Sequence, residues 1–262
     1  TSVSKTHKRQ IMNTYQLWIS FYTIVRKDVV RIFRVWAQTF LPSVVTSTLY
    51  FLIFGAFLGT RIGEVNGFGY VEFVVPGLIM LAVVTNSYSN VAFTFFTGKF
   101  FSRYIDEILV SPTPPWLLIA GYVTGGMVRG VLVGILVLIV SLIFAPITIT
   151  SSLIIILFFL LTALIFSLAG LVNGIYAKPI DGLNFIPTFV LTPLVYLGGI
   201  FYSIDLLPEF WQWVTYANPV FYLVNGFRYG FLGFADVSIW LAVGVLVGMA
   251  AVLAGINWYL LK

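Results

Sequence analysis

The chain has 262 residues and a net charge of +5, and 60% of its residues are hydrophobic while only 9% are charged. Since a soluble domain carries roughly 25% charged residues, this composition excludes a water-soluble domain and indicates an integral membrane protein. The sequence contains no cysteine, which excludes thiol catalysis, disulfide bonds and cysteine-ligated metal sites.

Residues 13–34, NTYQLWISFYTIVRKDVVRIFR, predict a basic amphipathic helix that precedes the first apolar segment. At helical spacing, its apolar face holds Trp18, Phe21, Val25, Val29 and Ile32, and its basic face holds Lys27, Arg31 and Arg34. We expect such a helix to lie in the membrane interface, held by anionic lipid. Two compatible roles follow: an anchor that sets the topology, or a cytoplasmic platform on which a partner docks.

Six apolar segments follow, at about 36–58, 73–96, 118–145, 152–176, 185–202 and 237–260. Backbone polar groups in lipid must be satisfied internally, so each segment is a helix unless the chain closes into a barrel. A barrel would alternate apolar and polar residues, and runs such as SSLIIILFFLLTALIF do not. The predicted fold class is therefore an all-α integral membrane protein with six transmembrane helices.

Lysine and arginine are distributed unequally between the two sides that these spans define. The first 34 residues, the loops after spans 2 and 4 and the last residue hold most of them, whereas only Arg61 and Arg228 fall on the other side. By the positive-inside rule, both termini are cytoplasmic, so the surplus positive charge reflects topology rather than nucleic-acid binding. Arg129 has two interpretations: the cytoplasmic boundary of span 3, or an arginine that lines an aqueous path.

The loop after span 2 reads TGKFFSRYIDEILVSPTPPWLL. Residues 102–111 predict a short amphipathic helix, because Ser102 suits the N-cap and Phe101, Ile105 and Ile108 recur at helical spacing. Pro112, Pro114 and Pro115 end the helix. This segment is either an ordinary loop helix or a knob that fits a groove on a soluble partner.

The stretch 205–230, after span 5, has nearly the length of a span but cannot cross the membrane if the termini share one side. We expect it to enter the outer leaflet and return, or to lie flat, as two short helices broken at ANPVFY. Asp205, Glu209 and Arg228 would then be solvent-exposed surface charges or would form local salt bridges. The candidate outer-gate residues are Phe210, Trp211, Trp213, Tyr216, Pro219 and Phe221. The alternative is an aromatic interfacial belt with no role in transport.

The sequence offers no constellation for catalysis or for cofactor binding. It has no H-E-x-x-H, and TGKF at residues 97–100 lacks the glycine and the hydroxyl residue of a P-loop. The spans carry no histidine and no acid apart from Glu72 and Asp236 near their outer ends, which disfavours proton-coupled transport. We therefore predict a non-enzymatic subunit that binds no cofactor and takes its energy from a separate protein.

Taken together, these features resemble the permease subunit of ABC-2-type transporters, from about residue 13 to the C-terminus. The resemblance rests on the basic interfacial helix, on FVVPGLIM at 73–80, on IDEILVSP at 105–112, on the long block 187–230 and on the final apolar span. The short motifs are weak alone, and their order and spacing make the match. Within the family, the chain looks closest to small bacterial inner-membrane members.

The resemblance implies a homodimeric core with two copies of a P-loop ABC ATPase subunit below it, which would bind ATP and magnesium. The loop helix would be the coupling helix that contacts the ATPase, formed by Arg103, Tyr104, Ile105, Asp106, Glu107, Ile108, Leu109 and Val110. The segment 13–34 would be the connecting helix, and 205–230 a pair of re-entrant outer helices. The implied function is ATP-driven export of an amphiphile or glycan; the alternatives are an ion-coupled secondary carrier and a non-transporting scaffold.

Overall fold

A computed structural model describes residues 13–101, 105, 107–108, 111–146, 148–178 and 180–262. The α-helices are α1 (Thr14–Arg34), α2 (Trp36–Tyr50), α3 (Thr60–Ile62), α4 (Tyr70–Phe100), α5 (Pro115–Ser141), α6 (Ser152–Tyr176), α7 (Ile180–Ile186), α8 (Thr192–Tyr196), α9 (Glu209–Tyr216), α10 (Pro219–Leu232) and α11 (Ile239–Leu261). Two π-helical segments, Phe51–Gly59 and Pro187–Leu191, extend α2 and join α7 to α8. A short antiparallel hairpin, β1 (Glu64–Val65) and β2 (Phe68–Gly69), leads into α4.

Within these described ranges, five helical stretches are long and apolar enough to cross a membrane: Trp36–Gly59, Tyr70–Phe100, Pro115–Ser141, Ser152–Tyr176 and Ile239–Leu261. They coincide with predicted spans 1, 2, 3, 4 and 6, and they confirm an all-α membrane protein.

The predicted fifth span, 185–202, differs from the structure. Its apolar helix runs over Ile180–Tyr196 and is about 26 Å long at 1.5 Å per residue, against about 30 Å of hydrocarbon. Pro187 and Pro193 explain the irregular helix, because neither residue has a backbone N–H to donate within it. The helix changes to π geometry at Pro187–Leu191.

Three hydrogen bonds show where the segment that contains α7 and α8 begins and ends. At one end, Asn173 near the end of α6 donates a hydrogen bond to the carbonyl of Leu183 at 3.0 Å. Lys99 near the end of α4 donates to the carbonyl of Ile175 in the same region, at 2.9 Å. At the other end, the Tyr70 hydroxyl at the start of α4 donates to the carbonyl of Phe201 at 3.2 Å. The segment thus runs from the level of one end of α4 to the level of the other.

Helix α4 lies at the centre of the protein and packs against α5, α6 and α10. Along its contact with α5, Gly126, Gly130 and Gly134 lie one helical turn apart. A side chain at these positions would overlap Val91, Ser87 and Val83 of α4, respectively. Small residues at this spacing allow two membrane helices to approach closely, where packing rather than water exclusion drives association. The two helices are antiparallel, because the contact residues on α4 fall from Val91 to Val83 as those on α5 rise from Gly126 to Gly134.

We expect Gly130→Ala to destabilise the protein by about 1–3 kcal/mol, because the added methyl group over-packs the contact with Ser87. The double variant Ser87→Ala/Gly130→Ala should recover part of the loss. Gly244→Ala is the matched control, since nothing lies within 4 Å of a Cβ at that position of α11. Unfolding in mixed detergent micelles measures the effect, and equal losses for the Gly130 and Gly244 variants would contradict the close α4–α5 contact.

Candidate functional site

A buried polar cluster joins the amphipathic helix α1 to α4. The Asp28 side chain is 4% exposed and forms an ion pair with Arg31 at 3.1 Å. Asn90 of α4 bridges the pair: its amide donates to Asp28 Oδ2 at 3.2 Å, and its Oδ1 accepts from Arg31 Nη2 at 2.8 Å. Arg31 also donates to the Thr94 hydroxyl. The predicted basic face of α1 is therefore partly an internal contact, through Arg31.

Helix α5 contributes to the same cluster. Gly125 leaves the space that the Asp28 carboxylate occupies, because a side chain at that position would overlap the carboxylate. Arg129, one turn further along α5, reaches Asn90 Oδ1 at 3.5 Å. Arg129 thus lies beside the residues of α1 that precede the first span, a location that agrees with the interpretation of Arg129 as a boundary residue.

Of the other predicted residues of α1, Ile32 is buried, whereas Trp18, Lys27 and Arg34 are exposed. Trp18 is 62% exposed, and its ring centroid lies 6.1 Å from that of the half-buried Phe21. Lys27 and Arg34 are exposed and, with Arg31, line a cavity between α1 and the end of α4. Asp28 was not singled out from the sequence, because a lone acid among basic residues gives no signal of its own.

The position of Asp28 predicts a pH effect. Burial raises the pKa of its carboxyl group, and Arg31 and the hydrogen bonds from Asn90 and Thr94 oppose the rise. A carboxyl group with a raised pKa binds its proton more tightly in the folded protein than in the unfolded chain. Its contribution to stability is therefore full below the ordinary value of 3.8 and is lost as the pH rises through the raised pKa.

We accordingly expect the free energy of unfolding of the wild-type protein to fall relative to that of Asp28→Asn as the pH rises above about 4. Unfolding in micelles from pH 4 to pH 8 measures the difference between the two proteins. Asp181→Asn is the control, because this acid lies at the start of α7, away from the cluster. A wild-type curve parallel to that of Asp28→Asn would contradict the raised pKa.

Only part of the predicted coupling helix can be located. Ile105 is 3% exposed and packs in a cluster with Val91, Phe95 and Tyr122. Glu107 is exposed and Ile108 is half-buried. The backbone N–H of Ser111 donates to the carbonyls of both Glu107 and Ile108 at 3.1 Å, as at a helix end. The predictions for Arg103, Tyr104, Asp106, Leu109 and Val110 lie outside the described residues.

The predicted outer element consists of two helices with opposite environments. Helix α9 follows Pro208 and carries exposed aromatic rings. Their exposed fractions are 70% for Phe210, 44% for Trp211, 70% for Trp213 and 37% for Tyr216. Helix α10 is buried against α6, α11 and α4. The sequence predicted two short helices here, and the structure shows that the first is exposed and aromatic and the second is buried.

The break between the two helices lies where ANPVFY predicts it. Asn218 caps α10 by accepting from the Val220 backbone N–H at 3.0 Å, and Pro219 occupies the first turn. The Asn218 amide also donates to the carbonyl of Leu194 at 2.6 Å. Phe221 is 1% exposed, and its ring centroid lies 5.8 Å from that of Tyr216. Of the candidate gate residues, Phe221 is therefore the buried one against which the exposed helix rests.

Arg228 forms a local salt bridge, which is one of its two predicted alternatives. The other alternative, a solvent-exposed surface charge, is wrong, because Arg228 is only 1% exposed. Its guanidinium pairs with Asp236 at 3.4 Å, donates to the carbonyl of Gly199 at 2.6 Å and lies 3.8 Å from the Phe73 ring centroid. The salt bridge is thus local but buried, because a carboxylate, a carbonyl and an aromatic face replace water around the charge. Asp205 and Glu209 are exposed, as predicted.

Asp236 is the centre of a larger network at this end of the protein. The Ser203 hydroxyl donates to Asp236 Oδ1 at 3.2 Å, and Asn66 beside the hairpin donates to Ser203 Oγ at 3.2 Å. The Asn225 side chain accepts from the Asp236 backbone N–H at 2.6 Å. Burial raises the pKa of Asp236, and the Arg228 guanidinium opposes that rise. The network ties α10 to the start of α11, the end of the α8 segment and the hairpin.

Within the described ranges, no group of three or more histidine, aspartate or glutamate side chains is placed to hold a metal ion. The two polar groups of residues are instead an internal junction at one end of α4 and a buried network at the other. Each joins an amphipathic or short helix to the central helices.

Comparisons with known proteins match nearly the whole chain. The family described as ABC-2 type transporter matches residues 19–232. The chain is 51% identical over 245 residues to the inner membrane transport permease YadH of Escherichia coli (strain K12), which covers 94% of this chain and 95% of that protein. It is 24% identical over 220 residues to nodulation protein J of Rhizobium leguminosarum bv. viciae, covering 82% and 85% of the two chains.

Proposed function

The chain belongs to the ABC-2 type transporter family, and we propose that it forms, as a homodimer, the translocation pathway of an ATP-driven exporter. The chain is thus a membrane permease of an ABC transporter. The observation that carries the proposal is the family match over residues 19–232, which includes the interfacial helix, the loop after α4 and the outer helices. The name of the Escherichia coli relative supports a location in a bacterial inner membrane.

Six membrane crossings with both termini in the cytoplasm are part of the proposal. In the part of the chain that the structure describes, five helices have the length of a span, and the segment from Leu183 to Phe201 runs between the levels of the two ends of α4. Because this segment extends from one of these levels to the other, it supports a sixth crossing. In that crossing, the residues after Tyr196 complete a short, irregular helix. An even number of crossings leaves α1 and Lys262 on the same side, where most of the basic residues lie.

A separate ATPase subunit, in two copies, would bind ATP and magnesium and drive the movement, while this chain binds no cofactor. The loop after α4 is the proposed contact. The buried Ile105 of this loop packs on α4 and α5. A movement of the ATPase against the exposed Glu107 and the half-buried Ile108 would therefore displace these two helices. The proposed substrate is an amphiphile or a glycan, and the exposed aromatic rings of α9 would form the outer gate.

Co-purification of the chain with a P-loop ABC ATPase subunit tests the proposal. We expect Ile108→Asp to abolish stimulation of ATP hydrolysis by the permease, because a charge at the rim of the contact disrupts an apolar knob in a groove. Glu107→Gln is the matched control on the same loop and should retain most of the stimulation. Normal stimulation with Ile108→Asp would contradict the coupling role.

Two other outcomes distinguish the alternatives. Gradient-driven flux in proteoliposomes that contain this chain alone indicates an ion-coupled carrier. Stable binding of membrane partners with neither flux nor stimulated ATP hydrolysis indicates a scaffold. Either outcome would replace the exporter proposal.

A further inference from the structure

A cavity of about 590 Å³ opens between the second half of α1 and the last turn of α4. Its walls carry the basic side chains Arg26, Lys27, Arg31 and Arg34. The Thr94 and Thr97 side chains on α4 complete its polar lining. This volume lies within the range of small-molecule binding sites, and it is separate from the outer network around Asp236.

The charges around the cavity do not balance. Among the described residues that line it, four are basic and one, Asp28, is acidic, and the carboxylate of Asp28 already pairs with Arg31 and Asn90. Arg129 adds a further guanidinium behind the cavity, near Asn90. Like charges at this density repel one another unless an anion lies between them. The cavity is therefore electrostatically suited to a negatively charged group.

The location of the cavity specifies the kind of anion. Helix α1 ends at Arg34, and the first candidate span begins at Trp36. The opposite wall, Thr94 to Gly98, belongs to the last turns of the span Tyr70–Phe100. Both walls thus lie at one membrane boundary, where the head groups of lipids lie. Tyr22 and Val30 add apolar surface to the same cavity, and Phe33 and Trp36 beside it are exposed.

We propose that this cavity binds the phosphate group of an anionic amphiphile from the adjacent leaflet, with its acyl chains against the apolar flank of α1. Arginine side chains provide bidentate donors that match phosphate oxygens. A bound phosphate would neutralise the excess positive charge and hold α1 against α4. The proposal goes beyond transport and does not require that the amphiphile be the exported substrate.

Binding of short-chain lipids to the full-length chain in neutral detergent tests the proposal. The probes are dihexanoyl phosphatidylglycerol, dihexanoyl phosphatidylcholine and inorganic phosphate. We expect phosphatidylglycerol to bind more tightly than either of the others. Arg26→Gln/Arg34→Gln should weaken its binding about thirtyfold, since each basic residue near a membrane surface contributes about a factor of five. Lys178→Gln/Lys262→Gln removes the same charge from exposed positions away from the cavity and should leave binding unchanged.

A labelling measurement keeps the test independent of the arginine variants. The chain has no cysteine, so Thr97→Cys introduces a single thiol in the cavity wall. Phosphatidylglycerol should slow its reaction with a charged thiol reagent, and phosphatidylcholine should not.

Three outcomes overturn the proposal. Equal losses in the two double variants mean that only overall charge matters. Inorganic phosphate that binds as tightly as phosphatidylglycerol means that the site takes a free anion. Unchanged lipid binding by Arg26→Gln/Arg34→Gln, together with lost binding of the ATPase subunit, means that the basic surface serves a protein partner.

Discussion

Replacing Arg228 with methionine is expected to lower the free energy of unfolding by about 3–5 kcal/mol, because the change leaves the Asp236 carboxylate buried without its cation. Both side chains are nearly inaccessible, at 1% and 2% exposure. Methionine keeps much of the volume and the contact with Phe73, so the loss measures the charge and its hydrogen bonds rather than a cavity. The carbonyl of Gly199 also loses its donor. Unfolding of the wild-type and variant proteins in mixed micelles measures this difference in the free energy of unfolding.

A double variant separates the ion pair from the packing. Asp236→Asn alone leaves the guanidinium unpaired and should also destabilise the protein, whereas Arg228→Met/Asp236→Asn removes both charges and should recover a substantial part of the loss. Glu209→Gln, which changes an exposed acid of α9, should have almost no effect. Additive losses in the double variant would show that the two side chains act separately and would contradict the buried pair.

Single cysteines in α9 should change their reactivity when ATP is bound and trapped in the complex. If α9 forms the outer gate, a thiol at Trp211 or Tyr216 should react about tenfold more slowly or more quickly in the trapped state. Such a change corresponds to about 1.4 kcal/mol between two conformations. The absence of native cysteine makes the signal specific. This expectation depends on the proposed exporter and on its ATPase partner.

Trp240→Cys is the matched control for that experiment. Trp240 is 85% exposed at the start of α11, so it samples the same membrane boundary without belonging to α9. Reactivity that stays constant at all three positions in a complex that still hydrolyses ATP would assign the α9 aromatic rings to an interfacial belt. In the gate interpretation, Trp211→Ala/Tyr216→Ala should alter transport while the permease still assembles with the ATPase.

The regular spans could be predicted from the sequence because hydropathy depends on composition over about 20 residues. The predicted span 152–176 has the same bounds as the observed helix α6. The two prolines of the fifth segment signal an irregular helix, but its bounds, Ile180–Tyr196 rather than 185–202, could not be predicted, because hydropathy does not register the loss of backbone donors. The break at Asn218-Pro219 was predictable for the opposite reason, since its signal is local.

The burial of Arg228 and of Asp28 was not predictable. Helix α10 ends at Gly233, which has a left-handed backbone conformation (φ 73°). The chain therefore turns after Gly233, and the Asp236 carboxylate lies next to Arg228. Asp28 is accommodated by Gly125, which lies far away in the chain and gives no signal except the missing side chain. In both cases the burial also depends on residues far away in the chain, Gly199 and Phe73 for Arg228 and Gly125 for Asp28.

The two π-helical segments, Phe51–Gly59 and Pro187–Leu191, lie in chain segments that touch. The Tyr50 and Tyr196 hydroxyls are 3.3 Å apart, and the Phe54 and Phe201 rings stack at 4.5 Å. A π turn bonds each amide one residue further back than an α turn does. Exchanging one pattern for the other therefore moves the chain by one residue, about 1.5 Å along the axis and about 100° around it. In the first span and its neighbour, the side chains beyond each π-helical segment are therefore displaced around the axis from the positions that a continuous α-helix would give them.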